Sequence, residues 1–241
     1  MNGILLPGGE ERPLSFYLAM EEHVAAAYGS GFFVWRVAPT VIIGRNQDIY
    51  SEVNLAYCRE HGIDVVRRKS GGGCVFADKG NIMISYITPR RRVENVFSEY
   101  LDRLSSFLRT LGFDAVTSSN NDVCVGGFKV SGNAFFVHPD ADIVHGTLLH
   151  SLDFGMMERA ITPSVEKLGK HGVQSVRQRV VNLASLGLDM GPEELEEALM
   201  AAFCDSRAML SPQDMKAVEE IERTYTDPAF LFGKAQENTY I

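Results

Sequence analysis

The chain has 241 residues, 45% of them hydrophobic and 22% charged, which suits one large or two small globular domains and excludes disorder, collagen and low complexity as global descriptions. Its 23 Lys and Arg against 31 Asp and Glu give a net charge of −8, so any anion must be met by a local basic or backbone-amide site rather than by a generally basic surface. No stretch approaches the ~18 apolar residues of a membrane span, Ile4–Leu6 is too short for a signal-peptide core, and Cys58, Cys74, Cys124 and Cys204 form no C-x-x-C pair, so a reduced, cytoplasmic protein without a zinc site is expected.

Pro13 opens a helix through about Tyr28, stopped by Gly29 and Gly31. Phe32–Val37 and Thr40–Ile43 are β-rich, with Ala38-Pro39 as a turn between them. Glu52–His61 reads as a short helix ended by Gly62, and Ile63–Arg67 as a strand leading into Ser70-Gly71-Gly72-Gly73. Cys74–Ala77 and Asn81–Ile87 are strands joined through Asp78-Lys79-Gly80. Glu94–Leu111 is amphipathic, with Val96, Tyr100, Leu101, Leu104 and Leu108 on one face. Ala115–Thr117, Asp122–Val125, Lys129–Val137 and Ile143–His150 are strand-like. Phe154–Ala160 and Pro163–Leu168 are helical, and Val176–Leu183 is extended. Pro192–Phe203 and Pro212–Thr224 are the last helices. Helices and hairpins interleave without a βαβ rhythm, so an α/β (α+β) fold with a mixed, largely antiparallel sheet is expected. Residues 1–241 then form a single domain with a helical C-terminal tail over about 192–241, beyond a soft seam at Ser185–Pro192.

Three segments carry chemistry. Arg67-Arg68-Lys69-Ser70-Gly71-Gly72-Gly73-Cys74-Val75 joins cations to glycines that can aim several N–H groups at one anion. It matches neither G-x-x-x-x-G-K-[ST] nor G-x-G-x-x-G. A tight hairpin turn among solvated charges is the plain alternative. In Gly126-Gly127-Phe128-Lys129-Val130-Ser131-Gly132-Asn133, alternation puts Lys129, Ser131 and Asn133 on one strand face, able to clamp a carboxylate or phosphate. Gly132 there signals a close backbone approach or a bulge. Asn121-Asp122 is either a turn cap or a magnesium contact. In His145-Gly146-Thr147-Leu148-Leu149-His150 the two histidines fall on opposite faces of a strand, which argues against a two-histidine metal site.

Together, RRKSGGGCVFADKGN (67–81), NNDVCVGGFKVSGNAFF (120–136) and HGTLLHSLDF (145–154) resemble the lipoate–protein ligase A family of the biotin/lipoate ligase superfamily. The resemblance spans about residues 14–183. It implies a catalytic domain like that of class II tRNA synthetases and biotin ligases. It implies activation of lipoate by Mg-ATP to lipoyl-AMP, then transfer to a lysine of an acceptor. Carried over by position, Lys129 is the catalytic residue, bridging the lipoyl carbonyl and the phosphate. Arg67, Gly71, Gly72, Gly73, Cys74, Val75, Asn81, Ser131, Gly132 and Thr147 bind nucleotide or lipoate. Asn121 and Asp122 lie near Mg-ATP, with no metal fixed by protein alone. The implied acceptors are apo lipoyl domains of 2-oxoacid dehydrogenase E2 subunits, the glycine cleavage H protein, or both, with no nucleic acid and no membrane. Two departures stand out. Cys74 takes a position usually held by alanine, and the length leaves no room for an accessory domain that some members carry. The chain would then work alone, need a separate accessory protein, or act only as a lipoyl-AMP-dependent transferase. The competing enzyme is an octanoyl or lipoyl transferase with Cys74 or Cys124 as a thioester nucleophile. A biotin ligase lacks support because no G-R-G-R motif precedes Cys74. A lipoate-binding module without chemistry would be expected to have altered Arg67 or Lys129.

Overall fold

A computed structural model describes residues 1–9, 11–118, 121–161 and 179–233. Strand β1 (Asn2–Leu5) precedes helix α1 (Leu14–Tyr28), which ends as its glycine predicts: Gly29 adopts φ 68° and its N–H returns to the Val24 and Ala25 carbonyls. Next come β2 (Gly31–Trp35), β3 (Thr40–Ile43), α2 (Ile49–Glu52) and α3 (Leu55–Glu60). The helix expected over Glu52–His61 is therefore two short ones. Val53 is extended between them, and Asn54 caps the second by accepting the Tyr57 N–H.

Then follow β4 (Asp64–Arg67), β5 (Val75–Ala77), β6 (Asn81–Pro89), α4 (Val93–Thr110), β7 (Ala115–Thr117), β8 (Asp122–Val125), β9 (Phe128–Val137), β10 (Ala141–Leu149) and α5 (Phe154–Ala160). The chain closes with α6 (Pro192–Phe203), β11 (Ser206–Met209), α7 (Pro212–Tyr225) and α8 (Pro228–Phe232). The helix expected at Pro163–Leu168 and the start of the segment at Val176 lie outside the described residues.

The main sheet runs β11-β1-β2-β6-β10-β9-β8-β7, parallel at β11-β1-β2 and antiparallel elsewhere. The mixed, largely antiparallel sheet is as expected. Every residue of β10 is buried, because helices cover both of its faces. On one face α1 and α7 pack over Phe33, Trp35, Met83 and Ile143. On the other, α4 and α6 pack over Phe32, Ile82, Ile84 and Val144, with Phe203 stacked on Phe32 at 4.5 Å.

A second sheet, ordered β4-β3-β5, changes three expected connections. Ala38-Pro39 is no hairpin turn, since β2 and β3 lie in different sheets. Asp78-Lys79-Gly80 leads from the small sheet into the large one. The glycine segment is not a tight turn either: β4 and β5 flank β3, so residues 68–74 cross over its end.

The C-terminal segment is not purely helical. Strand β11 pairs in parallel with β1, and both escaped the sequence reading because short, half-exposed strands show little alternation. Nor does Ser185–Pro192 separate two cores: Leu195, Leu199 and Phe203 share one core with α4.

Candidate active site

The site grows from the glycine segment. Arg67 ends β4 and is 4% exposed. Its Nη1 donates to the carbonyls of Gly44, Arg45 and Gln47 at 3.0, 3.2 and 2.8 Å, and its Nε to that of Leu231 at 2.8 Å. Burial pulls its pKa down, opposed by Asp48. The side chain expected to hold phosphate thus ties the 44–47 loop to the C-terminal segment, away from the cavity. Arg68 turns the other way and lines the cavity. Its Nη2 donates to the Gly71 and Gly73 carbonyls at 2.7 and 2.8 Å, and its Nε donates to Ser70 Oγ at 3.0 Å. Burial draws its pKa down to about 10, so it stays a cation at neutral pH. Arg68 curls the loop by drawing the Gly71 and Gly73 carbonyl oxygens to its guanidinium. Gly72 sits at φ 91°, a conformation that side chains oppose. Gly44 is equally constrained, since a Cβ there would lie 2.2 Å from the Gly72 oxygen.

Across the cavity stands β9. Between Val123↔Ser131 and Cys124↔Lys129 the register slips, so Val130 is an extra residue. The bulge breaks the expected alternation. Ser131 and Asn133 pair with Leu148 and Gly146 and point toward the α4 side, where Asn133 Nδ2 donates to Ser131 Oγ at 3.2 Å and to the Asn121 carbonyl at 2.9 Å. Lys129 instead shares the face of Gly132: a Cβ on Gly132 would meet Lys129 Cε and Nζ at 2.6 Å. Asn121, held at φ 61°, presents Asp122, whose Oδ1 receives Lys129 Nζ at 2.8 Å.

A cavity of about 610 Å³ opens between the two sheets, within the size range of small-molecule sites. Gly72, Gly73, Cys74, Val75, Asn81, Lys129, Gly132 and Thr147 line it. Arg67, Gly71, Ser131, Asn121 and Asp122 do not. Leu18, Trp35, Ile42, Met83 and Leu149 supply an apolar wall. Asn81 is fully buried on the cavity wall, and its Oδ1 has no protein partner, an acceptor offered to a ligand. Sequence reasoning named Arg68 only as one of the cations before the glycines, and it missed Trp35 and the buried pair of Glu21 with His145, whose Nδ1 lies 2.9 Å from Glu21 Oε2. Alternation along β4 could have signalled Arg68, since only one of two adjacent arginines can face the cavity.

The cysteine chemistry fares poorly. Cys124 shares the Lys129 face of the sheet but does not line the cavity, and burial pushes its thiol up, reinforced by Asp122 and opposed by Lys129. A nucleophilic thiolate needs the reverse. Cys74 lines the cavity at the end of the glycine segment. We expect Cys74→Ser and Cys124→Ser each to retain ATP-dependent acyl transfer, measured by mass gain of an acceptor. Loss of transfer with activation intact would instead reveal a thioester.

Residues 13–204 match the family model described as the lipoyl protein ligase A/B catalytic domain. A probable lipoate-protein ligase A of Mycoplasma pneumoniae is 36% identical over 237 residues, 93% of this chain and 70% of the relative. Lipoate–protein ligase 1 of Staphylococcus aureus is 38% identical over 230 residues, 90% of this chain and 69% of the relative. Among solved structures, a bi-partite lipoate protein ligase from Thermoplasma acidophilum, described together with its E2 lipoyl domain, superimposes with a TM-score of 0.84 at 26% identity, covering 97% of each chain. A lipoate-protein ligase A bound with ATP shares the fold, with a TM-score of 0.82 at 24% identity over 97% of this chain and 99% of that one.

Proposed function

The chain belongs to the lipoyl protein ligase A/B catalytic family, and from that premise we propose that it joins lipoate to ATP, releasing pyrophosphate, and passes the lipoyl group from lipoyl-AMP to a lysine of an acceptor protein. The observation that supports this reading best is the placement of Lys129 on the cavity face opposite the Gly72–Val75 backbone, with an apolar chamber behind. Activation brings a carboxylate against a triphosphate, so the barrier is charge repulsion and alignment. A fixed ammonium and oriented N–H groups neutralise charge where it develops. Holding both reactants in one cavity adds effective molarity. The dithiolane chain gains about 0.8 kcal/mol per buried CH₂ against the apolar wall. No protein nucleophile is needed.

In this reading Lys129 exchanges Asp122 for the lipoyl carbonyl and the adenylate phosphate. Asn81 accepts a hydrogen bond from a nucleotide hydroxyl or amino group. Magnesium would arrive on the triphosphate, a cation that typically keeps waters and takes only one or two carboxylates. No group of three or more His, Cys, Asp or Glu able to hold a metal ion exists among the described residues, and Asp122, beside the Lys129 ammonium, and Glu158, on the cavity wall, are carboxylates that would be at hand for the ion. Bound there, the ion would supply charge neutralisation at the phosphates. Apo lipoyl domains of 2-oxoacid dehydrogenase E2 subunits or the glycine cleavage H protein are the proposed acceptors, and the cytoplasm the proposed location. No described helix is long and apolar enough to cross a membrane.

Mixing the protein with lipoate, Mg-ATP and an apo lipoyl domain is expected to add one lipoyl group to the acceptor by intact-mass measurement. Labelling from preformed lipoyl-AMP alone would mark a transferase. Pyrophosphate release without labelling would place the second step with an accessory protein.

A further inference from the structure

Behind the cavity runs an unbroken chain of buried hydrogen bonds that the activation chemistry above does not use. Trp35 Nε1 donates to Ser85 Oγ at 2.9 Å, and Ser85 Oγ donates to Glu21 Oε1 at 2.6 Å. Glu21 Oε2 meets His145 Nδ1 at 2.9 Å, and His145 Nε2 meets Ser70 Oγ at 2.6 Å. Ser70 Oγ accepts from Arg68 Nε, and Arg68 in turn holds the Gly71 and Gly73 carbonyls. Glu21, Ser85 and Ser70 are each 2% exposed or less. The chain joins the apolar end of the cavity to the glycine loop, and its members come from α1, β2, β6, β10 and the 68–73 crossing.

In the tautomer that donates Nδ1–H to Glu21, Nε2 accepts the Ser70 hydroxyl while Ser70 Oγ receives the Arg68 N–H, so each of these groups is partnered. A serine, a histidine and a carboxylate in this order invite comparison with a hydrolytic triad. Ser70, however, does not line the cavity, and the Arg68 guanidinium occupies its oxygen.

We propose that His145 is a positioning residue for carboxylate activation: oriented by Glu21, it anchors Ser70 and, through it, the Arg68 fork that shapes the Gly71–Gly73 loop. This rests on the lipoate-ligase reading of the same cavity. His145 also lines the cavity, so its hold on Ser70 is separated from any direct ligand contact by combining substitutions. Losing the Ser70 contact should loosen the loop and weaken ligand binding before it affects the chemical step.

The test measures lipoate-dependent ATP–pyrophosphate exchange, separating KM from kcat, for wild type, His145→Ala, His145→Gln, Ser70→Ala and the His145→Ala/Ser70→Ala pair. Trp35 is the only tryptophan in the sequence, so its emission reports the same chain without any turnover. Ser70→Ala should raise KM on the order of 10-fold, the effect of one unmade buried hydrogen bond, with kcat little changed. His145→Ala should raise KM by a similar factor and change Trp35 emission, and His145→Gln, which keeps a donor and an acceptor, should restore much of both. Because His145 acts through Ser70, the double variant should be no worse than the poorer single one. Additive losses in the double variant would overturn the proposal. So would a Ser70→Ala variant that loses kcat at unchanged KM, or an acyl-serine found by mass spectrometry. If wild type shows no exchange but Trp35 emission still shifts in His145→Ala and returns in His145→Gln, the ligase reading fails and the relay stands.

Discussion

Replacing Lys129 by alanine should lower lipoate-dependent ATP–pyrophosphate exchange by about 10²–10³-fold, the usual effect of removing one preorganised charge donor from a developing anion. The fold should tolerate the change. Lys129 is 36% exposed in its side chain and pairs with a partly exposed Asp122, so the lost pair is worth about 0–1 kcal/mol of stability. Equilibrium binding separates two origins of the loss. If the ammonium acts mainly on the charge formed during adenylation, lipoate should still bind while exchange collapses. Normal exchange by a well-folded Lys129→Ala protein would remove the assignment altogether.

The second large effect is expected at a residue with no side chain. Gly132→Ala should cost about 10²-fold in exchange, because misplacing a reacting group by an ångström is enough for that. The new methyl would stand 2.6 Å from both Cε and Nζ of Lys129, so the lysine must swing out of place. Two features keep the fold intact. The atoms displaced are the far end of a flexible, half-exposed side chain, and alanine in a strand interior regains about 0.5–1 kcal/mol that glycine forfeits. The variant should therefore melt near wild type, with its Lys129 exchanging partners poorly. Full activity in Gly132→Ala would mean that Lys129 acts from a position other than the one beside Gly132.

These two substitutions mark how far sequence reading reached. Gly132 reads as a close approach or a bulge from its place in a strand, and both hold: β9 bulges at Val130 and the Lys129 side chain crosses the glycine. The face assignment built on simple alternation does not hold. Alternation carries side-chain direction only while the register is unbroken, and one extra residue sends everything beyond it to the other face. Ser131 thereby leaves the cavity, while Asn133 remains on its lining and takes a supporting part by holding the Asn121 carbonyl. Arg67 and Arg68 pose the same question of direction. Both are cations before a glycine run, and only the crossing of residues 68–74 over β3 decides that Arg68 meets the cavity while Arg67 bonds to the 44–47 loop and Leu231.

Sequence alone determined what is local. Helix ends follow from Gly29 and from Pro192 and Pro212 at the starts of the last long helices, the span of α4 from its apolar stripe, and the glycine-rich and lysine-bearing segments from their residue types. Those signals arise from backbone conformation and periodicity within a few residues, so no partner is needed to read them. Tertiary structure decided the division into two sheets, the capture of β11 by β1, the bulge that aims Lys129, and the relay joining Glu21, Ser70 and His145. Those depend on strands choosing distant partners. A histidine 124 residues from its carboxylate and 75 from its serine carries no local trace of either bond. Its role exists only because burial leaves each polar group one remaining partner.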